Sequence, residues 1–181
     1  MQIKRCSWVT ESEIYKNYHD NDWGNPIFDD NKLFEYLSLE IFQAGLSWLT
    51  ILKKKKRIFN AFDNFNIQKV SSYSKREINI LLKNDNIIRH KQKINSVINN
   101  AKKIIDIQNK YISFEKFIWS FSDFKTIKSN KKTQFYISNK LLLKMKKLGF
   151  KFIGEKIIFS FLESSGVFNN HSKYCFKNLK K

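Results

Sequence analysis

The sequence predicts an all-α protein. Apolar residues recur at three- and four-residue spacing along most of the chain, alternating strand patterns are scarce, and capping residues stand ahead of the periodic runs. Thr10-x-x-Glu13 reads as a capping box opening a short helix. Asp29 and Asp30 precede a stripe of Leu33, Phe34, Leu37 and Ile41 that stops near Gly45. A second helix is predicted from Ser47 to Phe59. Ser74-x-x-Glu77 caps another, with Ile78, Leu81 and Leu82 on its inner face. From Arg89 to Ile107, the residues Ile94, Val97, Ile98, Ala101, Ile104 and Ile105 share one side. Leu141 to Leu148 forms a further helix ended by Gly149, and Ile157, Ile158, Phe161 and Leu162 define one after Gly154. The stretch from Asp123 to Asn139 offers no anchor.

The 181 residues suit a single domain, 1–181. Hydrophobic residues make up 42%, and with 17 Phe, 7 Tyr and 4 Trp the core must be largely aromatic. No segment approaches a membrane span, and Met1 to Cys6 has no apolar stretch behind its charges, so a membrane role and a signal peptide are not expected. A cytoplasmic location follows, with the two cysteines reduced unless a metal holds them. The net charge of +18 favours a polyanionic partner. The same charge fits a composition rich in Lys, Ile and Asn, and Lys53 to Arg57 reads as a solvated helix face.

Three clusters carry chemistry. Gly149 and Gly154 bracket a seven-residue connection, 148–154, between two helices. It reads as a helix-hairpin-helix that offers backbone N–H groups to a DNA phosphate, or as an ordinary αα-turn. The second cluster is metal-like. Cys6 and His19 lie near one end and His171-x-x-x-Cys175 near the other. Together they make a closed tetrahedral Zn²⁺ set, or else two free cysteines and two surface histidines. His90, between Arg89 and Lys91, reads as a surface or phosphate-facing residue. The third cluster crowds Trp8, Tyr15, Tyr18 and Trp23 into a polar stretch. Aromatics so placed form a stacking slot for a base or the core of an N-terminal sub-domain. Beyond them, Glu40 sits in the last turn of its helix, where the macrodipole disfavours an acid, with Trp48 close by. That marks it as a candidate functional acid.

These residues carry a resemblance. Arg5-Cys6-Ser7-Trp8, Tyr18-His19-Asp20-Asn21-Asp22-Trp23-Gly24, Gln43-Ala44-Gly45-Leu46-Ser47-Trp48, Ile87-Ile88-Arg89-His90, Gly149 to Gly154 and Asn170-His171 resemble the bacterial 3-methyladenine DNA glycosylase I family in order and spacing. The resemblance implies a helix-hairpin-helix glycosylase fold whose terminal segments, 1–25 and 165–181, are joined by one structural zinc on Cys6, His19, His171 and Cys175. It implies that Glu40 binds the amino edge of a flipped base, Trp48 stacks on it, Tyr15 and Tyr18 complete the walls, Trp8 and Trp23 lie nearby, and Gln43 supports the pocket. Gly149, Lys151 and Gly154 would face the DNA backbone. The implied substrate is double-stranded alkylated DNA, the product free 3-methyladenine, and the enzyme a monofunctional monomer. Glu40 is expected to be ionised, so as to attract a cationic base. Ser7 and Ile41-Phe42 depart from the family pattern, which touches pocket shape. No Asp follows Asp123, so the aspartate usual after such hairpins is missing. That fits an already activated leaving group, and equally a non-catalytic zinc-stapled nucleic-acid-binding module. Lys156 lies where lyases of this fold place a nucleophile.

Overall fold

The computed structural model describes residues 3–128 and 130–179. The outermost positions of both terminal segments, 1–2 and 180–181, and residue 129 of the unanchored stretch lie outside them. The described chain is helical: α1 (Glu13–Asn17) runs into a π-helical turn (Tyr18–Asp22), followed by α2 (Asp30–Gln43), α3 (Trp48–Ala61), α4 (Ile67–Ser71), α5 (Lys75–Lys83), α6 (Lys91–Tyr111), α7 (Phe114–Trp119), α8 (Lys131–Lys147), α9 (Glu155–Ser164) and α10 (Phe176–Leu179).

The core is built around α2. Asp29 caps it by accepting from the Lys32 N–H at 2.7 Å. From Leu33 to Phe42 every residue is buried, so this helix is enclosed on all sides rather than amphipathic. It packs against α3, α6, α7 and α9. Its C-terminal carbonyls are satisfied from outside: Lys93 Nζ, on α6, donates to Phe42 O at 2.9 Å and to Ala44 O at 2.5 Å. An ammonium is a strong partner for carbonyls that a helix end leaves unpaired.

The connection from α8 to α9 is a structured hairpin. Gly149 adopts φ +88°. The Phe150 N–H bonds to Met145 O and the Gly149 N–H to Lys146 O, which is the Schellman arrangement that ends a helix on a left-handed residue. Asn100, fully buried on α6, clamps the loop: its Oδ1 accepts from the Lys151 N–H at 2.8 Å and its Nδ2 donates to Lys151 O at 3.0 Å. Asn99 Nδ2 donates to Gly149 O.

Several expected boundaries differ. Thr10 does not cap α1. The N-cap is Ser12, without a side-chain bond, and Thr10 Oγ1 accepts from the Ser12 N–H instead. The helix predicted from Leu141 begins ten residues earlier, at Lys131, capped by Asn130 through the Thr133 N–H. Its first turns bury Gln134, Ile137 and Ser138, two of them polar, so no apolar period announces them. A two-residue parallel pair, β1 (Ile127–Lys128) with β2 (Phe168–Asn169), joins the unanchored stretch to the C-terminal segment. His90 is the N-cap of α6, its Nδ1 accepting from the Lys93 N–H at 3.4 Å. No described helix is long and apolar enough to cross a membrane.

Candidate active site and metal centre

Two helix C-termini meet at one cavity. Residues Glu40 and Gln43 of α2 and Ser160 and Glu163 of α9 form its floor and one side, and Trp8, Tyr18, Trp23, Trp48 and Asn170 line the rest. Its volume is about 320 Å³, at the lower end of the roughly 300–1,000 Å³ typical of small-molecule sites. The N-terminal segment is held over it by backbone bonds from Gly24 and Ile27 to the Ser164 and Ser165 carbonyls. Gly166 permits this approach, because it adopts φ +76° and a Cβ there would lie 2.4 Å from Asn25 C.

The aromatic walls interlock. Trp8 and Trp23 meet edge to face at 5.0 Å between ring centroids, and Tyr18 lies 5.2 Å from Trp48. Tyr15, expected in the wall, does not line the cavity but packs edge-on against Trp8 at 6.2 Å. Behind Tyr18, Lys55 Nζ pairs with Asp22 Oδ2 at 2.8 Å and lies 5.8 Å from the Tyr18 ring centre. Burial keeps the Tyr18 phenol protonated well above its ordinary range.

Glu40 is 5% exposed and accepts a hydrogen bond from Ser164 Oγ at 3.1 Å. Burial, with a further push from Glu163, raises its pKa to about 8. The sequence expectation is an ionised Glu40; in the free protein burial instead favours the protonated acid, because a carboxylate in this cavity has lost its hydration. Ser160 and Glu163 escaped the sequence reading, and Asn170 entered it only as part of a motif, with no role in the pocket. Glu163 carried the same signal as Glu40, an acid in the last turn of a helix, here α9.

The cysteines and histidines converge as the family resemblance implied. The ligand atoms of Cys6, His19, His171 and Cys175 all lie within 4.8 Å of one another, and all four residues are buried. Cys175 Sγ is 3.4 Å from His19 Nε2 and 3.6 Å from His171 Nδ1, which is also 3.6 Å from Cys6 Sγ. Burial raises the Cys6 thiol and lowers His171 to about 4. Two thiols and two imidazoles buried against one another fit a cation better than they fit each other. The cluster could hold a metal ion, with four protein ligands and no open position.

The hairpin lies beside the cavity. A groove lined by Gln43, Gly45, Lys146, Gly154 and Lys156 shares Glu40 and Ser160 with it. Of the three residues expected at the DNA backbone, Gly149 and Lys151 have their N–H groups committed to Lys146 O and Asn100 Oδ1. Gly154 is the N-cap of α9.

A helix-hairpin-helix with an aromatic, acid-floored slot between two helix ends belongs to the class of proteins that hold a single planar group beside a polyanion. Comparison makes this particular. The model of the methyladenine glycosylase family matches residues 8–178, and the chain belongs to that family. It is 38% identical over 177 residues to the DNA-3-methyladenine glycosylase of Haemophilus influenzae, covering 94% of this chain and 96% of that one. The 3-methyladenine DNA glycosylase I of Staphylococcus aureus superposes with a TM-score of 0.90 at 36% identity, covering 98% and 97% of the two chains. A tyrosine-to-phenylalanine variant of 3-methyladenine DNA glycosylase I in complex with 3-methyladenine superposes at 0.89 and 36% identity, covering 96% and 97%.

Proposed function

We propose that this protein removes 3-methyladenine from alkylated double-stranded DNA by flipping the base into the cavity and hydrolysing its N-glycosidic bond. The observation that carries this reading is the Glu40 carboxyl in an aromatic-lined cavity, where it also borders the hairpin groove. The relatives named for this activity support it.

Methylation at N3 places positive charge on the purine. The C1′–N9 bond then breaks with its electron pair leaving on the base, which departs neutral as 3-methyladenine. The oxocarbenium-like sugar is captured by water, which loses a proton, and an abasic site remains. Protonation of the leaving group is unnecessary, so the chain's residues extrude, hold and shelter rather than donate a proton. Trp48 and Tyr18 present ring faces and edges at the walls. Glu40 accepts from the exocyclic amino group, and the positive charge of the bound base favours its ionised form, the carboxyl proton passing to solvent. Gln43 supports the turn, its Nε2 donating to Leu46 O. Tyr15 acts through Trp8.

The hairpin meets the phosphates through its Gly154 end, where the first N–H groups of α9 lack a side-chain cap, with the Lys151 side chain exposed beside it. The metal is zinc, held by Cys6, His19, His171 and Cys175, and it is structural: it fastens 1–25 to 165–181. The enzyme works as a cytoplasmic monomer. Incubating purified protein with N-methylated duplex and identifying the released bases tests the whole reading. Binding without any base release would leave a nucleic-acid-binding module instead.

A further inference from the structure

Two acids meet in the cavity and no base balances them. Among the residues that line it, Glu40 and Glu163 are the only ionisable carboxyls and no Lys, Arg or His is present. This runs against the composition, in which Lys and Arg number 34 against 16 acids. Glu163 is not there by default either. Its Oε1 accepts from Asn170 Nδ2 at 2.6 Å, and Asn170 Oδ1 in turn accepts from Gln134 Nε2 at 2.9 Å. Gln134 is fully buried on α8, so a chain of side chains reaching across three elements fixes the Glu163 rotamer. One carboxylate lone pair is used by Asn170, which leaves the second oxygen for the cavity.

We propose that Glu163 is a second base-recognition residue, which with Glu40 makes the cavity select for positive charge on the bound nucleobase. This rests on the base-excision reading above. A single hydrogen-bonding carboxylate recognises an amino edge, which neutral adenine also offers. When both acids are ionised they repel each other in this low-dielectric cavity, and a guest of charge +1 relieves that repulsion, so that it favours the ionised pair while a neutral guest does not. Substrate choice would then depend on charge separately from shape.

The test uses two small probes of one shape. The cation is 3,9-dimethyladeninium, whose 9-methyl stands for the sugar. The neutral isostere is 3-deaza-3,9-dimethyladenine. Their dissociation constants are measured at pH 9, above the value of about 8 for Glu40, so that Glu40 is ionised throughout. The unaltered protein is expected to prefer the cation. In Glu163→Gln, which keeps the acceptor for Asn170, that preference should fall about tenfold, the size of one charge-assisted bond, with the neutral probe bound as before. Glu163→Asp should retain most of it. Glu163→Ala is measured alongside, so that one unfolded variant does not decide the outcome. An unchanged ratio in a folded Gln or Ala variant, while the unaltered protein still releases 3-methyladenine, overturns the role of Glu163 alone. Failure of the unaltered protein to release base or bind either probe removes the base-excision reading and this proposal together.

Discussion

Asp20 lies 2.8 Å from His19 Nδ1 through Oδ1, while Arg5 grips the same carboxylate with Nε at 2.9 Å and Nη2 at 2.7 Å. The guanidinium holds Asp20 below the usual carboxylate range, so it stays an acceptor and the His19 Nδ1 carries the proton. That leaves Nε2, which faces Cys175, as the ligand atom. Outer partners of this kind orient a metal-binding imidazole. Asp20→Ala should therefore weaken zinc affinity by roughly 10–100-fold, read by chelator competition. Cys6→Ser and His171→Ala should lower metal content and melting temperature together. Well-folded, freshly purified protein with no zinc by metal analysis would sink this assignment.

Glu40→Gln should lower kcat/KM for 3-methyladenine release by roughly tenfold to a hundredfold, the loss of one charge-assisted bond. Affinity for undamaged duplex should hold, since phosphate contacts dominate it. The burial of Glu40 adds two pH signatures. The folded protein keeps this proton up to about pH 8, whereas the unfolded chain releases it in the ordinary carboxylate range. Stability from this group is thus present in acid and is lost as pH rises toward 8, with a slope of at most about 1.4 kcal/mol per pH unit. In Glu40→Gln that decline should vanish. The kcat/KM of the unaltered enzyme should climb toward pH 8, and the variant should be flat. Equal release by both proteins would remove Glu40 from the active site.

Lys93→Met should cost about 1–3 kcal/mol, because it leaves the Phe42 and Ala44 carbonyls without their donor. Those carbonyls end the helix that carries Glu40 and Gln43, so base release should fall further than duplex binding. Chemical denaturation and single-turnover excision on the same sample check both parts. A stability loss with unaltered excision would confine Lys93 to the core.

Gly166→Ala should destabilise the fold by at least about 1–3 kcal/mol, from the left-handed backbone alone. The Cβ must also displace Asn25 and Pro26, so the segment carrying Trp23 should shift. Expected are a lower melting temperature and weakened base release. A melting temperature equal to that of the parent would contradict the close approach.

Lys156 is exposed on the first turn of α9 and lines the hairpin groove. An exposed side chain has none of the enclosure that activates a nucleophilic lysine. Borohydride should trap no covalent protein–DNA adduct, and the product should be an intact strand with an abasic site. An adduct that disappears in Lys156→Ala would make the enzyme a lyase.

Much of the fold was legible because its helices announce themselves with local signals. Asp29, Ser47 and the Ser74–Glu77 box cap where the sequence places them. Scarcity of Cys and His drew attention to the four residues, but spacing left a metal set and free side chains both open, and only the family resemblance joined them. The misses are places where tertiary structure decides. The start of α8 turns on Gln134, a buried amide whose partners, Ile127 O and Asn170, come from other elements. Tyr15 could not be told from a wall residue, because only the packing of Trp8 shows which aromatic faces the cavity. Glu163 was overlooked although it obeys the rule that found Glu40. The pull of burial on the charge of Glu40 was not legible, because desolvation depends on what closes over a residue, and Trp8 and Trp23 reach the cavity from far upstream.

The joining of residues 6 and 19 to 171 and 175 orders events during synthesis. A ribosome finishes the Cys and His pair near the amino end long before the other pair emerges, although domains otherwise tend to fold from the amino side first. A metal ion could gain all four ligands only after Cys175 has left the exit tunnel. Trp8, Tyr18 and Trp23 are seated over the cavity by contacts to Ser164 to Gly166, and Asn170 closes it. A nascent chain that has not yet delivered Ser164 to Asn170 therefore lacks a finished slot.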